Sequence, residues 1–120
     1  MKRGSRQFAL TVINLEEGRP SVEQVRSRLA DELGRARQKS LPVLKLIHGY
    51  GSSGVGGALR DAVLGALGWA KTRGEIREFI AGEEWSISDS ASWRLLQHRP
   101  GLRSDSDLGR RNRGITIVIL

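Results

Sequence analysis

Five glycines, Gly49, Gly51, Gly54, Gly56 and Gly57, follow His48 in the stretch "LIHGYGSSGVGGALRDAV". An apolar, strand-like run precedes them and a helical pattern follows. A tight turn needs one or two glycines, so five imply that something approaches the backbone closely. Bare N–H groups at the start of a helix converge on an anion, and the helix dipole adds positive potential there. Tyr50 lies inside the corner, and Ser52 and Ser53 add hydroxyl donors. Two standard fingerprints compete with this reading. Gly49, Gly51 and Gly54 spell a dinucleotide-binding pattern, with Glu75 at the expected distance, but too few strands follow for that kind of sheet. The same glycines have phosphate-loop spacing, yet Val55 stands at the lysine position and Gly56 at the Ser/Thr position. His48, at the carboxyl end of its strand, can donate to phosphate, move a proton, or cap the turn by bonding the backbone.

Other chemistry-bearing residues lie apart in sequence. Glu16 and Glu17 follow the first strand; they belong to a solvated loop or, with His48, to an acid–base site. Arg110, Arg111 and Arg113 cluster just before the last strand, suited to phosphate contact. Trp85 and Trp93 either anchor a long polar segment or offer faces on which bases stack. Trp69 ends a helical stripe and is expected in the core. His98 is expected on the surface. Two histidines and no cysteine make a structural zinc site improbable and leave no disulfide.

The elements that must position these groups follow from periodicity. Phe8–Leu15 is a first strand. Ser21, with Gln24 three residues on, forms a capping box, and Val22, Val25, Leu29, Leu33 and Ala36 give one helix a buried face. "QKSLP" ends it. Val43–His48 is nearly continuous in apolar residues, as a buried strand would be. Leu59, Ala62, Val63, Ala66, Leu67 and Ala70 form the stripe of a second helix, in which Gly65 and Gly68 suggest close packing on a sheet. Ile76–Ile80 is a short strand, and Gly114–Leu120 a β-branched, central one. Residues 82–113 form a long insertion, too polar for core, with "DSASWRLLQ" as a short helix capped by Asp89 or Ser90. The order is β-α-β-α-β, irregular segment, β: a two-layer α/β sandwich in one domain of 120 residues, with 1–7 as a flexible basic tail.

The net charge of +7 and pI near 11.0 favour polyanionic partners, DNA or RNA above all. The excess is mostly arginine, which grips phosphate bidentately and stacks on bases. No apolar run is long enough to span a membrane, and no signal-peptide pattern follows "MKRGSRQ". Membrane partners are therefore not expected, and the lack of cysteine fits a cytoplasmic location.

"LIHGYGSSGVGGALRDAV" closely resembles the second motif of the small MutS-related (Smr) domain, a histidine–glycine pair followed by a Gly-x-Gly pattern leading into a helix. The "SVEQV" helix start and the "GITIVIL" strand extend the resemblance over most of the chain. It implies a β-α-β-α-β-β sandwich with a four-stranded mixed sheet, similar to the C-terminal domain of translation initiation factor 3, its last strand antiparallel. It also implies nucleic-acid binding and, in some members, nicking of DNA or cleavage of RNA. The phosphate contact would then fall to His48, Gly49, Tyr50, Gly51, Ser52, Ser53 and Gly54, with Arg110, Arg111 and Arg113. The family's first motif, Leu-Asp-x-His, is degenerate: Ile13, Asn14 and Glu16 stand at its leucine, aspartate and histidine positions. As a nuclease, the chain would use His48 and Glu16, with a divalent metal to bring phosphate to the carboxylate. No cofactor is otherwise implied. The alternative is a non-catalytic module in which the corner binds a nucleotide or a protein.

Overall fold

The computed structural model describes residues 10–50 and 56–120. Four strands form one sheet: β1 (Thr11–Asn14), β2 (Val43–Ile47), β3 (Glu78–Ala81) and β4 (Ile115–Ile119), in the order β1-β2-β4-β3. β1 runs parallel to β2, and β4 is antiparallel to both β2 and β3. The β-branched "ITIVI" run is central, as expected, because buried strands favour side chains that fill a pleated surface. β1 and β3 are the edges. Residues 8 and 9 of the expected first strand lie outside the described residues, and β3 begins later than Ile76, which is nonetheless buried.

Helix α1 (Val22–Gln38) starts at Ser21, where both arms of the capping box form: Gln24 N donates to Ser21 Oγ (3.1 Å) and Ser21 N to Gln24 Oε1 (2.9 Å). Val25, Leu29, Leu33 and Ala36 are buried at the predicted spacing. Helix α2 (Gly56–Thr72) buries Leu59, Ala62, Val63, Leu67 and Ala70. Two expectations fail on α2. Trp69 is 66% exposed, because it lies off the buried stripe despite adjoining its last residue. A Cβ added at Gly65 or Gly68 would meet open space, so neither glycine serves close packing on the sheet.

α1 and α2 cover one face, onto which β2 directs Leu44 and Leu46 and β4 directs Val118. The opposite face is covered by residues 82–113, which hold a 3₁₀ turn (Gly82–Glu84), helix α3 (Ser90–His98) and a second 3₁₀ turn (Pro100–Ser104). Asp89, not Ser90, caps α3, its carboxylate accepting from Ser92 N at 2.9 Å. Trp85, Leu95, Leu96 and Leu102 from this segment pack with Val43, Ile115 and Ile117 in a second core cluster. The α+β class and mixed sheet are as expected. The segment, however, is not too polar for core: it supplies a third layer, with Trp85, Leu95, Leu96 and Leu102 turned inward while Ile87 and Trp93 stay exposed.

A buried ion cluster ties that layer to the sheet. Lys45, mid-strand in β2 and only 6% exposed, bonds Asp105 at 2.8 Å and also pairs with Asp107. Trp85 Nε1 donates to Asp105 Oδ2 (3.0 Å), and Asn112 Nδ2 to Asp107 Oδ1 (2.9 Å). Burial lowers the Lys45 pKa, but hydrogen bonds and charge from the two aspartates outweigh it and hold it above the ordinary lysine value. Gly82 is required where the segment leaves β3: a Cβ there would fall 1.8 Å from Asn112 O. No helix among the described residues is long and apolar enough to cross a membrane.

Candidate functional site

The corner begins where β2 ends. His48 N and Gly49 N both donate to Gly114 O, at 2.9 and 3.1 Å, so the chain turning out of β2 is held against the start of β4. Gly114 permits this approach: a Cβ there would stand 3.3 Å from Tyr50 Cδ1 and 3.4 Å from Gly49 Cα. Gly49 adopts φ +74, the left-handed region that favours glycine. The polypeptide then leads towards the N-terminus of α2. Gly51, Ser52, Ser53 and Gly54 lie outside the described residues.

The His48 side chain is fully buried. Its Nδ1 lies 2.7 Å from Gly49 O and its Nε2 2.8 Å from Thr116 Oγ1. A carbonyl only accepts, so Nδ1 carries the proton and Nε2 accepts from the Thr116 hydroxyl. Burial holds the His48 pKa below the usual histidine value, against the opposing pull of the Gly49 carbonyl; Arg60 lowers it further. His48 is thus neutral at pH 7 with both nitrogens engaged. Of the three roles open to it in the sequence, its bonds are those of the turn cap.

Glu16 reaches the same corner from β1. Asn14 Oδ1 accepts from Glu16 N at 3.0 Å, an Asx turn that ends the strand. Arg28 of α1 braces the loop through Leu15 O (3.2 Å) and Glu17 O (2.7 Å). The Glu16 carboxylate lies against Gly49, where an added Cβ would stand 2.6 Å from its Oε1. Glu16 is exposed while His48 is buried, so the two share a corner but present different surfaces. Beneath them Arg60 of α2 pairs with Glu83, joining the second helix to the segment after β3.

Tyr50 emerges from the corner 55% exposed. It borders an open cleft of about 540 Å³ whose other walls are Ser106, Asp107, Asn112 and the exposed Arg110, Arg111 and Arg113. The fold thus joins two stretches that the sequence holds far apart. The join is made by Gly114 O, which accepts from His48 N and Gly49 N, and by the Lys45–Asp107 pair, while Asn112 ties these ends together, accepting from Gly114 N at 2.9 Å and donating to Asp107. Thr116 and Lys45 were missed as site-supporting residues. The signal available was a single polar residue interrupting each of two buried apolar runs, "VLKLI" and "ITIVI".

The remaining candidates lie elsewhere. Trp85 is fully buried and offers no stacking face. Trp93 is 46% exposed, with the Arg103 guanidinium 5.7 Å from its ring centroid. His98 is exposed at the end of α3, as expected. Among the described residues no group of three His, Cys, Asp or Glu side chains comes together to hold a metal ion.

No family model and no curated protein sequence matches the chain. Among solved structures, the crystal structure of the Smr domain of Thermus thermophilus MutS2 matches with a TM-score of 0.57 at 23% identity, over 92% of this chain and 96% of that one. The protein therefore has an Smr-like fold.

Proposed function

We propose that this Smr-like fold binds DNA or RNA through the glycine corner and the arginine cleft beside it. The observation that carries the reading is the placement of exposed Tyr50 at the rim of a cleft walled by Arg110, Arg111 and Arg113. Guanidinium groups neutralise phosphates and an exposed aromatic ring accepts a base, so together they suit a nucleotide strand. The Gly49 amide, expected to face the phosphate, is already spent on Gly114 O, so the backbone and hydroxyl donors to a phosphate ahead of α2 fall to Gly51, Ser52, Ser53 and Gly54. The net charge of +7 adds the sequence-independent attraction. In this reading His48 positions the corner from within, holding Gly49 through its carbonyl and β4 through Thr116.

Binding of labelled single-stranded and duplex oligonucleotides, measured from low to moderate salt, tests the proposal. Affinity should fall linearly on logarithmic axes as counterions are released. Affinity that stays flat with salt would remove the electrostatic basis.

The Glu16 carboxylate against Gly49 supports a second reading, strand cleavage. Glu16 would take the proton from the attacking hydroxyl or water as its oxygen bonds to phosphorus, the P–O bond to the leaving strand breaks and solvent protonates the departing oxygen, with His48 as a positioning residue. Supercoiled plasmid and structured RNA incubated with the protein test it: Glu16→Gln should abolish cutting, and a parent protein that leaves both substrates intact would end the reading.

A further inference from the structure

A second cleft lies at the opposite end of the sheet from the glycine corner, where β2 begins and β4 ends. Its volume is about 530 Å³, within the roughly 300–1,000 Å³ range of ligand pockets. Its floor is aliphatic: Val43 and Ile119 from the sheet, Ala91 and Leu95 from α3, with Pro42 and Leu120 at one side. Its rim is formed by the cationic Arg77 and Arg94, with Arg99 and His98 beside them. The one acid there, Glu78, has its charge taken up. Its Oε1 accepts from Lys71 Nζ at 2.8 Å and from Phe79 N at 3.1 Å, and burial, which would raise its pKa, is outweighed by these bonds and by the charges of Lys71 and Arg94.

We propose that this cleft is a second binding site that takes an acidic peptide segment carrying an apolar anchor. The rim supplies charge complementarity to carboxylates, and clustered arginines are the usual means of reading acidic motifs. The floor decides between a peptide and a nucleic-acid strand. The one aromatic ring of the cleft, His98, stands at the rim, so a base finds nothing on the floor to stack on, whereas an aliphatic or benzyl side chain fits an aliphatic floor. The two sites occupy opposite ends of the sheet, so a partner peptide and a nucleotide strand would be held together on one domain.

The test uses a fluorescein-labelled peptide, Glu-Asp-Leu-Phe-Asp-Glu, and fluorescence anisotropy with the whole chain. Binding is expected to weaken about tenfold or more when Leu-Phe is replaced by Ser-Ser, and likewise when the protein carries Arg77→Glu with Arg94→Glu. The same protein variant should bind a single-stranded oligonucleotide as well as a control with the same change of charge on α1, Arg26→Glu with Arg35→Glu. Both arginines are exposed, and an unchanged urea midpoint confirms that the variant folds. The Ser-Ser peptide tests the anchor on the parent protein, independently of any variant. Three results would overturn the proposal: no binding of the acidic peptide, its displacement by the oligonucleotide, or a loss of oligonucleotide affinity in the Arg77/Arg94 variant greater than that of the α1 control. The last two would make the cleft part of a nucleic-acid track.

Discussion

At the scale of single residues, the corner depends on side chains that never meet solvent. His48→Ala would leave the Thr116 hydroxyl and the Gly49 carbonyl unpaired and open a void beside β4. The expected loss is about 2–4 kcal/mol in urea unfolding. The pH dependence follows from the depressed His48 pKa. A neutral buried histidine contributes stability that is fully present above its unfolded value, ~6.5, and lost as pH falls through the lower folded value. The ring should therefore titrate below that value by NMR, and a midpoint at or above it would contradict the burial. Gly49 makes a separate case. Gly49→Ala places a Cβ against Glu16 at a backbone conformation alanine resists, at a cost of about 1–2 kcal/mol for the conformation alone. Adding Glu16→Ala should recover the steric part and leave the conformational part; complete recovery would mean that the left-handed turn carries no strain.

At the scale of elements, the question is what holds residues 82–113 on the sheet. The periodicity of α1 and α2 was legible because a helix repeats its buried face locally, and the capping box marked where α1 begins. The segment has no such repeat. Its core contribution rests on Trp85, on Leu95 and Leu96 of α3 and on Leu102, three separate places along the segment, and on a lysine–aspartate contact spanning 60 residues. Lys45→Met keeps the volume but leaves Asp105 and Asp107 without the ammonium both contact, and should cost about 3 kcal/mol or more. The acid limb should change with it. Asp107 is shifted down because its bonds to Asn112 and Lys45 outweigh burial, which alone would raise it. Its contribution is present above its unfolded value of ~3.9 and is lost as pH falls through the folded value. Stability of the parent should therefore fall more steeply in acid than that of Lys45→Met, measured by denaturant midpoints across the carboxylate range. Parallel acid limbs would show that the ion cluster does not set the dependence.

At the scale of the whole molecule, the closing of the sheet brings Tyr50 beside Arg110, Arg111 and Arg113. If this cleft tracks phosphates, replacing the three arginines by alanine should weaken oligonucleotide binding across sequences and reduce the salt slope by about 2. Equal reductions from three arginines on α1, Arg26, Arg35 and Arg37, would point instead to diffuse charge. Tyr50→Ala should weaken single-stranded binding by about 1–3 kcal/mol and leave the salt slope unchanged, since stacking releases no counterions.

The order of elements, the inward faces of α1 and α2, the central β-branched strand and the turn at Gly49 were all readable from sequence, because each is encoded by neighbours within a few residues. The exposure of Trp69, the open space at Gly65 and Gly68, the third layer and the engagement of both His48 nitrogens were decided by tertiary structure. Each depends on which residues from distant elements arrive at the same place, and that is set by strand register and by the path of one long segment across the sheet, neither of which leaves a periodic mark in the chain.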